Sequence, residues 1–219
     1  QASAPALREQ HDGSFDIGLH FNLTEGFGTE TVPSLHNVLL RSYLHLLSPA
    51  KLVEQWQRQL DAFEDAMHCA PDFIDGHQHV HQFPLVREAM LTALARYAGH
   101  MPWVRSTVAA NPAWGGKAKV LQRLGGSRLA QALRQQHIAS NHGFAGVYGF
   151  DRADYAACLD EWLPSVHAGS LIMCHPGASV DQHDPISAQR LVEYAYLQSE
   201  QFPQQLAKHA VCLRRLHDC

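Results

Sequence analysis

The stretch Phe73–Pro84, FIDGHQHVHQFP, constrains the fold of this chain more than any other. It joins a short apolar run to an acid, a glycine and three alternating histidines, His77, His79 and His81. Such a run is typical of the carboxyl end of a β-strand, because glycine lets the backbone bend where a strand leaves its sheet. In an extended backbone residues two apart share a face, so we expect any two of these imidazoles to be able to approach one ion. A histidine-rich surface loop is the alternative, but imidazole is the commonest metal ligand, and the cluster favours a metal or catalytic site.

Strands and helices are predicted to alternate along the chain. Strands are expected over 15–20, 73–75, 103–107 and 170–174, with an edge strand over 211–213. Helices are expected over 4–10, 49–67, 84–99 and 117–136 (with a break at Gly125-Gly126), after a cap at Asp151, from Pro185, and once more in the tail. Residues 28–47 and 138–150 are expected to be irregular. The alternation predicts a parallel α/β architecture, and we expect a single domain over residues 1–219.

Four polar side chains follow the predicted strands at the point where each strand ends: His20, His77, Arg105 and His175. In parallel barrels the active site lies at the carboxyl face of the strands. We therefore expect the three histidines to take part in one site. Arg105 could hold a substrate oxygen, but an arginine at a strand end is as often structural.

The composition narrows the classes of function. With 46% hydrophobic and 17% charged residues among 219, the chain is typical of a globular protein with a real core. A net charge of −4 provides no basic field, so nucleic acid is not an expected partner. Five cysteines without a CxxC pair fit a reducing cytoplasm. The sequence contains no run of about 18 apolar residues, so no membrane span is predicted. The start of the chain lacks the charged and apolar regions of a signal peptide.

Three motifs carry a resemblance to a known family. GLHFNLTEG (18–26), DGHQHVHQFP (75–84) and MCHPG (173–177), in this order, resemble the YdjC-like carbohydrate deacetylases, including their chitooligosaccharide and hopanoid-associated branches. The resemblance implies a distorted (β/α) barrel with parallel strands and one divalent metal ion, Mg or Zn. It also implies an N-acetylated sugar as the substrate, from which an acetyl group is removed by hydrolysis of the amide.

The same resemblance implies roles for individual residues. His20, in GLH, and His77, the first histidine of DGHQHVH, match the two metal-binding imidazoles. His175, in MCHPG, matches the residue that protonates the leaving amine. For His79 and His81 the expected role is contact with the substrate or with the ligands.

One departure from the family pattern concerns carboxylates. Family members begin with a strand that ends in two aspartates, one a metal ligand and one the general base, and this chain has no such pair. Asp12 and Asp16 precede the end of the GLH strand and do not substitute, and Asp75 is expected to orient a neighbouring imidazole. We therefore expect a chain that lacks its first βαβ unit of about 30 residues and has an incomplete metal site. The open sheet edge would favour association, with a homo-oligomer as one outcome.

Two other classes of function fit the same residues. A phosphoesterase also gathers histidines at the ends of barrel strands, and a non-catalytic sugar-binding protein would keep the fold without the reaction. Aromatic side chains such as Phe27, Trp114 and Tyr148 could stack on a sugar ring, although packing in the core or at the rim is the simpler expectation for each.

Overall fold

The computed structural model describes residues 4–26 and 31–218. The helices of this part are α1 Ala4–Gln10, α2 Leu35–Tyr43, α3 Pro49–Met67, α4 Val86–Leu94, α5 Gly116–Leu121, α6 Ser127–Gln135, α7 Tyr155–Trp162, α8 Ser187–Leu197 and α9 Gln201–Lys208. The strands are β1 Gly18–Phe21, β2 Phe73–Gly76, β3 Trp103–Val104, β4 Gly143–Ala145 and β5 Ser170–Ile172. In the described ranges no helix combines the length and the apolar character that crossing a bilayer requires.

The chain divides into two compact units, and the first comprises residues Gln1–Ser106 and Arg123–Asn141. Its sheet has the order β1-β2-β3, and both pairs of neighbours are parallel. The register places His20 opposite Asp75 and Ile74 opposite Val104. Ile74 and Val104 are fully buried, so the centre of this sheet lies in the core of the unit. The polar residues at the carboxyl ends therefore stand on a rigid support.

Helix α3 covers this sheet, and its sequence explains where it begins and ends. The Ser48 hydroxyl accepts a hydrogen bond from the Lys51 backbone N–H, and Pro49 occupies the first turn. Leu52, Trp56 and Leu60 recur every four residues and are buried. The Trp56 indole stacks on Phe21 of β1 with ring centroids 3.5 Å apart. Burial of this pair fixes the strand that carries His20.

The second unit comprises residues Thr107–Gln122 and His142–Cys219. Strands β4 and β5 pair in parallel, with Gly143 opposite Ser170. Aromatic side chains of α7 and α8 fill its core, where Tyr155 lies edge-on to Tyr196 at 5.5 Å between ring centroids. Asp154 caps α7 by accepting a hydrogen bond from the Ala157 backbone N–H.

The structure corrects several predictions within the first unit. Residues 35–43, expected to be irregular, form α2, which Ser34 caps by accepting from the Asn37 backbone N–H. Strand β1 starts at Gly18 and not at residue 15, because the Ile17 N–H is bound by the Asp72 carboxylate. Strand β3 stops at Val104, since the Asn141 side chain takes the place of a neighbouring strand at Ser106, with distances of 2.7 and 3.0 Å.

The second unit brings further corrections. Residues 143–145, inside a segment expected to be a loop, form β4. The cap of α7 is Asp154 and not Asp151. Strand β5 ends at Ile172 and its residues are half-buried, whereas a strand covered on both faces was expected over 170–174. Residues 211–213 form no strand. The tail helix is confirmed as α9. The predicted helical break at Gly125-Gly126, which belongs to the first unit, is also confirmed, since both glycines lie in a π-helical turn over Gln122–Gly126.

The parallel α/β architecture is confirmed, in part. The strands of the described residues form one sheet of three strands and one of two, and no closed barrel is formed by them. The barrel and the single domain over residues 1–219 stay predictions.

Candidate metal and catalytic site

The end of β2 places Asp75 at the centre of a polar cluster in the first unit. The parallel register sets His20 beside Asp75 on the neighbouring strand, and His20 Nδ1 lies 2.6 Å from Asp75 Oδ1. The His20 side chain is 53% exposed, whereas that of Asp75 is 10% exposed. A carboxylate only accepts, so Nδ1 carries the proton in this contact and Nε2 of the neutral ring carries the lone pair.

Arg105 supplies the positive charge that keeps Asp75 ionised. It follows β3, and its guanidinium lies 2.7 Å from Asp75 Oδ2 and donates to the Gly76 carbonyl at 2.7 Å. Burial raises the pKa of Asp75, but the Arg105 charge and the His20 hydrogen bond outweigh it and bring that pKa to about 2. The carboxylate is therefore charged at neutral pH, and it orients the imidazole of His20 as predicted.

His77 lies next to His20. Their ring centroids are 5.5 Å apart and the rings meet edge to face. The structure thus brings together the two imidazoles that were predicted to share an ion.

The backbone from His77 onward differs from the prediction. Residues His77–Gln82 form a 3-10 turn with left-handed residues at Gln78 and His79, and not an extended segment in which alternate residues share a face. The His79 ring accepts a hydrogen bond from Arg105 at Nδ1, at 3.2 Å. The turn directs the histidines to different surroundings, so the alternation of the sequence does not by itself produce the site.

His81 is the buried member of the cluster. It is fully inaccessible, and its Nε2–H donates to the Arg105 carbonyl at 2.9 Å. Burial and the nearby guanidinium lower the pKa of His81 to about 3, so the ring is neutral. A Cβ at Gly76 would lie 2.8 Å from His81 Nδ1, so the turn needs glycine there. His81 thus supports Arg105 from the core and does not face a substrate.

Glu25 is a candidate that the sequence reasoning missed. Its Oε2 lies 3.5 Å from His77 Nε2, and the side chain is 66% exposed. Asn22 shapes the loop that carries it, because its side-chain oxygen accepts from the backbone N–H of Thr24 and of Glu25, each at 3.0 Å. The signal was the motif GLHFNLTEG itself, which places an acid five residues after His20.

The side chains of this cluster provide only part of the ligand set that a divalent ion needs. The imidazoles of His20 and His77 adjoin, and the Asp75 carboxylate accepts a hydrogen bond from His20, as carboxylates commonly do from the histidine ligands of metal sites. Within residues 4–26 and 31–218, however, no group of three histidine, cysteine or acidic side chains is arranged to hold an ion.

His175 belongs to the second unit, in the segment after β5. Its backbone N–H donates to the Glu193 carboxylate, and its carbonyl accepts from Arg190 Nη1 at 3.3 Å. Both partners lie on α8, one turn apart, so a single helix holds the two polar backbone groups of His175. The His175 ring meets Phe150 edge-on, with centroids 5.2 Å apart.

Glu193 is fully buried and also accepts a hydrogen bond from the Tyr148 hydroxyl. Burial and the Glu193 carboxylate raise the pKa of Tyr148, so the phenol keeps its proton. The Tyr148 ring packs against Trp162 at 5.7 Å between centroids. These contacts give Tyr148 a packing role. Trp114 lines a small cavity of about 130 Å³ within the second unit, and Phe27 lies outside the described residues.

Comparisons with known proteins agree with the motifs. The family model described as YdjC-like protein matches residues 1–208. A chitooligosaccharide deacetylase of Proteus mirabilis is 28% identical over 92% of this chain and 77% of its own length. A chitooligosaccharide deacetylase of Serratia marcescens is 36% identical over 38% of this chain and 36% of its own, and a carbohydrate deacetylase of Mus musculus is 31% identical over 43% and 34%.

The fold has a solved counterpart. The crystal structure of a suggested cellobiose-phosphate cleavage protein of Enterococcus faecalis superposes with a TM-score of 0.66 at 16% identity, over 99% of this chain and 82% of that one. At this identity the likeness concerns the fold alone.

Proposed function

The chain belongs to the YdjC-like family, and from that membership we propose that it is a metal-dependent carbohydrate N-deacetylase. One observation carries the proposal: at the ends of adjacent strands the His20 imidazole, held by Asp75, adjoins His77. The similar proteins of Proteus, Serratia and mouse, which are named as deacetylases, support the choice of reaction. The distorted (β/α) barrel belongs to the same proposal.

His20 and His77 would hold one divalent ion, Mg or Zn. When bound, such an ion lowers the pKa of a water molecule and polarises an amide carbonyl. Asp75 would act through His20, because its contact with Nδ1 leaves Nε2 as the ligand atom. Arg105 keeps that carboxylate charged and so preserves the tautomer of His20.

His175 would be the general acid. A water molecule would add its oxygen to the acetyl carbon and lose a proton to a carboxylate, for which Glu25, the exposed acid beside His77, is the candidate. When the carbon–nitrogen bond of the acetamide breaks, the nitrogen leaves as an amine and needs a proton, which the His175 imidazolium would supply. The products are acetate and the free amino sugar. The backbone of His175 is held in place by two hydrogen bonds: its N–H donates to the Glu193 carboxylate, and its carbonyl accepts from Arg190.

The substrate would be an N-acetylated amino sugar or a short oligosaccharide of such sugars. We propose to measure acetate released from N,N′-diacetylchitobiose and, in parallel, phosphate released from p-nitrophenyl phosphate. Acetate without phosphate supports the deacetylase. Phosphate without acetate would identify a phosphoesterase, and saturable binding of the sugar without either product would identify a binding protein.

The His175→Ala variant tests the assignment of the acid. We expect it to keep its metal and lose acetate release by about 10²–10⁴, the range of a positioned acid–base group. His167→Ala, at an exposed position in the same unit, serves as the control and should keep its activity. Loss of metal together with activity in His175→Ala would show that His175 has a different role.

A further inference from the structure

A groove on the first unit lies apart from the histidine cluster. Its volume is about 560 Å³, within the range of about 300–1,000 Å³ that small-molecule sites occupy. None of the residues discussed above as ligands or as their partners lines it. Its lining residues include Tyr43, Leu85, Arg87, Arg123, Gly125 and Arg128.

The groove is strongly basic, although the chain as a whole carries a net charge of −4. Three arginines line it against one acid, Glu88. Glu88 forms an ion pair with Arg87, whose Nε donates to Glu88 Oε1 at 3.0 Å. Arg123 and Arg128 form no ion pair with any carboxylate of the described residues. Two of the arginines that line the groove therefore have no counter-charge among the described residues.

The backbone around the groove is unusual at two points. Leu85, at the start of α4, has φ 64° and ψ −40°, a conformation that a leucine rarely adopts. Gly125, in the π-helical turn, has φ 114°, and a Cβ there would lie 2.3 Å from the Gln82 carbonyl oxygen. Strained residues and π-helical turns cluster at ligand sites. Leu85 and Gly125 both line this groove.

Hydrogen bonds connect the segments of the chain that line the groove. The Gln82 amide donates to the Leu124 carbonyl at 3.1 Å, which joins the segment before α4 to the π-helical turn. The Ser42 hydroxyl donates to the Pro84 carbonyl at 2.6 Å and so fixes the end of α2 to the same segment. The arginines are thus carried on a connected support.

We propose that this groove binds the phosphate group of a small molecule. A guanidinium presents two parallel N–H donors that match the oxygens of a phosphate. A phosphate dianion would balance the two guanidinium charges that Glu88 does not neutralise, whereas a single carboxylate would balance only one. Tyr43, beside the groove, offers a hydroxyl and an aromatic face to the rest of the molecule. The ligand is either free phosphate or a phosphate monoester, since both present the same oxygens.

Isothermal titration calorimetry tests the proposal directly. The probes are inorganic phosphate, glucose 6-phosphate and, as the neutral control, glucose. The wild-type protein should bind one phosphate per chain and should not bind glucose at the groove. Tighter binding of glucose 6-phosphate than of phosphate would identify a monoester as the ligand, and equal binding would identify free phosphate. Because the readout is binding, it is independent of the deacetylase assay.

The variant Arg123→Ala/Arg128→Ala should bind either phosphate at least tenfold more weakly. The matched control is Arg58→Ala/Arg134→Ala, which removes two exposed arginines of the same unit that do not line the groove, and its affinity should stay as in the wild type. If the alanine variant does not fold, Arg123→Lys/Arg128→Lys keeps the charge and should still weaken binding through loss of the paired donors. Absence of phosphate binding in the wild type, or equal weakening in the control, would overturn the proposal.

Discussion

At the scale of single residues, a chain of charge-assisted contacts defines the candidate site. Arg105 holds Asp75 in its ionised form, and Asp75 holds the Nδ1–H of His20. Removal of Asp75 alone would leave a buried guanidinium without its counter-charge, which costs about 3–5 kcal/mol in comparable pairs. For this reason metal binding is better tested at the ligand histidines than at Asp75.

His20→Ala and His77→Ala are each expected to lower the metal content of the purified protein sharply. Each substitution removes one of the two adjoining imidazoles, and a single remaining imidazole is a poor site for a divalent ion. Metal content is measured by elemental analysis after dialysis against a limiting concentration of Zn²⁺. His36→Ala changes an exposed histidine of α2 in the same unit and is the control. Unchanged metal in His77→Ala would contradict the assignment.

His81 predicts how stability depends on pH. Burial and the Arg105 charge lower its pKa to about 3 from an ordinary value of 6.5, so the unfolded chain binds a proton more readily than the folded one. The neutral His81 ring makes its full contribution to the stability of the fold above about pH 6.5. As the pH falls from 6.5 toward 3, that contribution is lost at about 1.4 kcal/mol per pH unit.

The measurement is urea unfolding of wild type and His81→Gln at several pH values between 7.5 and 5. Glutamine keeps an N–H donor for the Arg105 carbonyl but does not titrate. The difference in unfolding free energy between the two proteins should therefore shrink as the pH falls. His36→Gln, at an exposed position, should show no such trend relative to the wild type. Parallel curves for wild type and His81→Gln would contradict the assigned pKa.

At the scale of elements, the sequence predicted those structures whose signals are local. Helix α3 was predictable because Ser48 and Pro49 mark its start and its apolar residues recur at helical spacing. The β2 strand was predictable from a short apolar run that ends in an acid and a glycine. His20 beside His77 was likewise predictable, since parallel neighbours end at one edge of their sheet.

The elements that sequence reasoning missed depend on distant partners. The turn at His77–Gln82 is held by the contact of His81 with the carbonyl of Arg105, 24 residues away. Strand β4 is rich in small residues and exists through its pairing with β5. Glu25 entered the site only because a loop folds back toward His77. No local pattern predicts the first two of these contacts, and the one local signal for Glu25 is the acid in the motif GLHFNLTEG.

Helix α8 leads to a prediction about His175. Glu193 is expected to be a positioning residue, because its carboxylate accepts the backbone N–H of His175 and the Tyr148 hydroxyl. Glu193→Ala should lower acetate release by about tenfold or more. Glu193→Gln should recover most of the activity, since the amide oxygen still accepts the N–H. Both variants should keep any bound metal, since the proposed ligands His20 and His77 lie in the first unit.

Circular dichroism checks that the variants fold, because Glu193→Ala leaves buried donors unpaired. Each unpaired buried group lowers the free energy of unfolding by about 1–3 kcal/mol. The decisive comparison is between the two variants at a temperature where both are folded. A folded Glu193→Ala variant with the activity of the wild type would show that α8 does not position His175 for the reaction.

At the scale of the whole molecule, the proposed metal ligands belong to the first unit and the proposed acid to the second. The family was predictable because its three motifs are spread over both units and together carry specific residues at strand ends. The arrangement of the strands was not predictable to the same degree. The described residues form a sheet of three strands and a sheet of two.

We propose that this protein removes acetyl groups with a bound metal ion, and one experiment tests both the reaction and its dependence on the ion. Acetate release from N,N′-diacetylchitobiose is measured with the purified protein, after removal of metal by a chelator, and after addition of Mg²⁺ or Zn²⁺. We expect acetate release to stop on chelation and to return with one of the ions, and we expect no return in His77→Ala. If acetate release continues unchanged after elemental analysis has verified that the metal is gone, the reaction does not depend on a metal ion and the proposed mechanism is wrong.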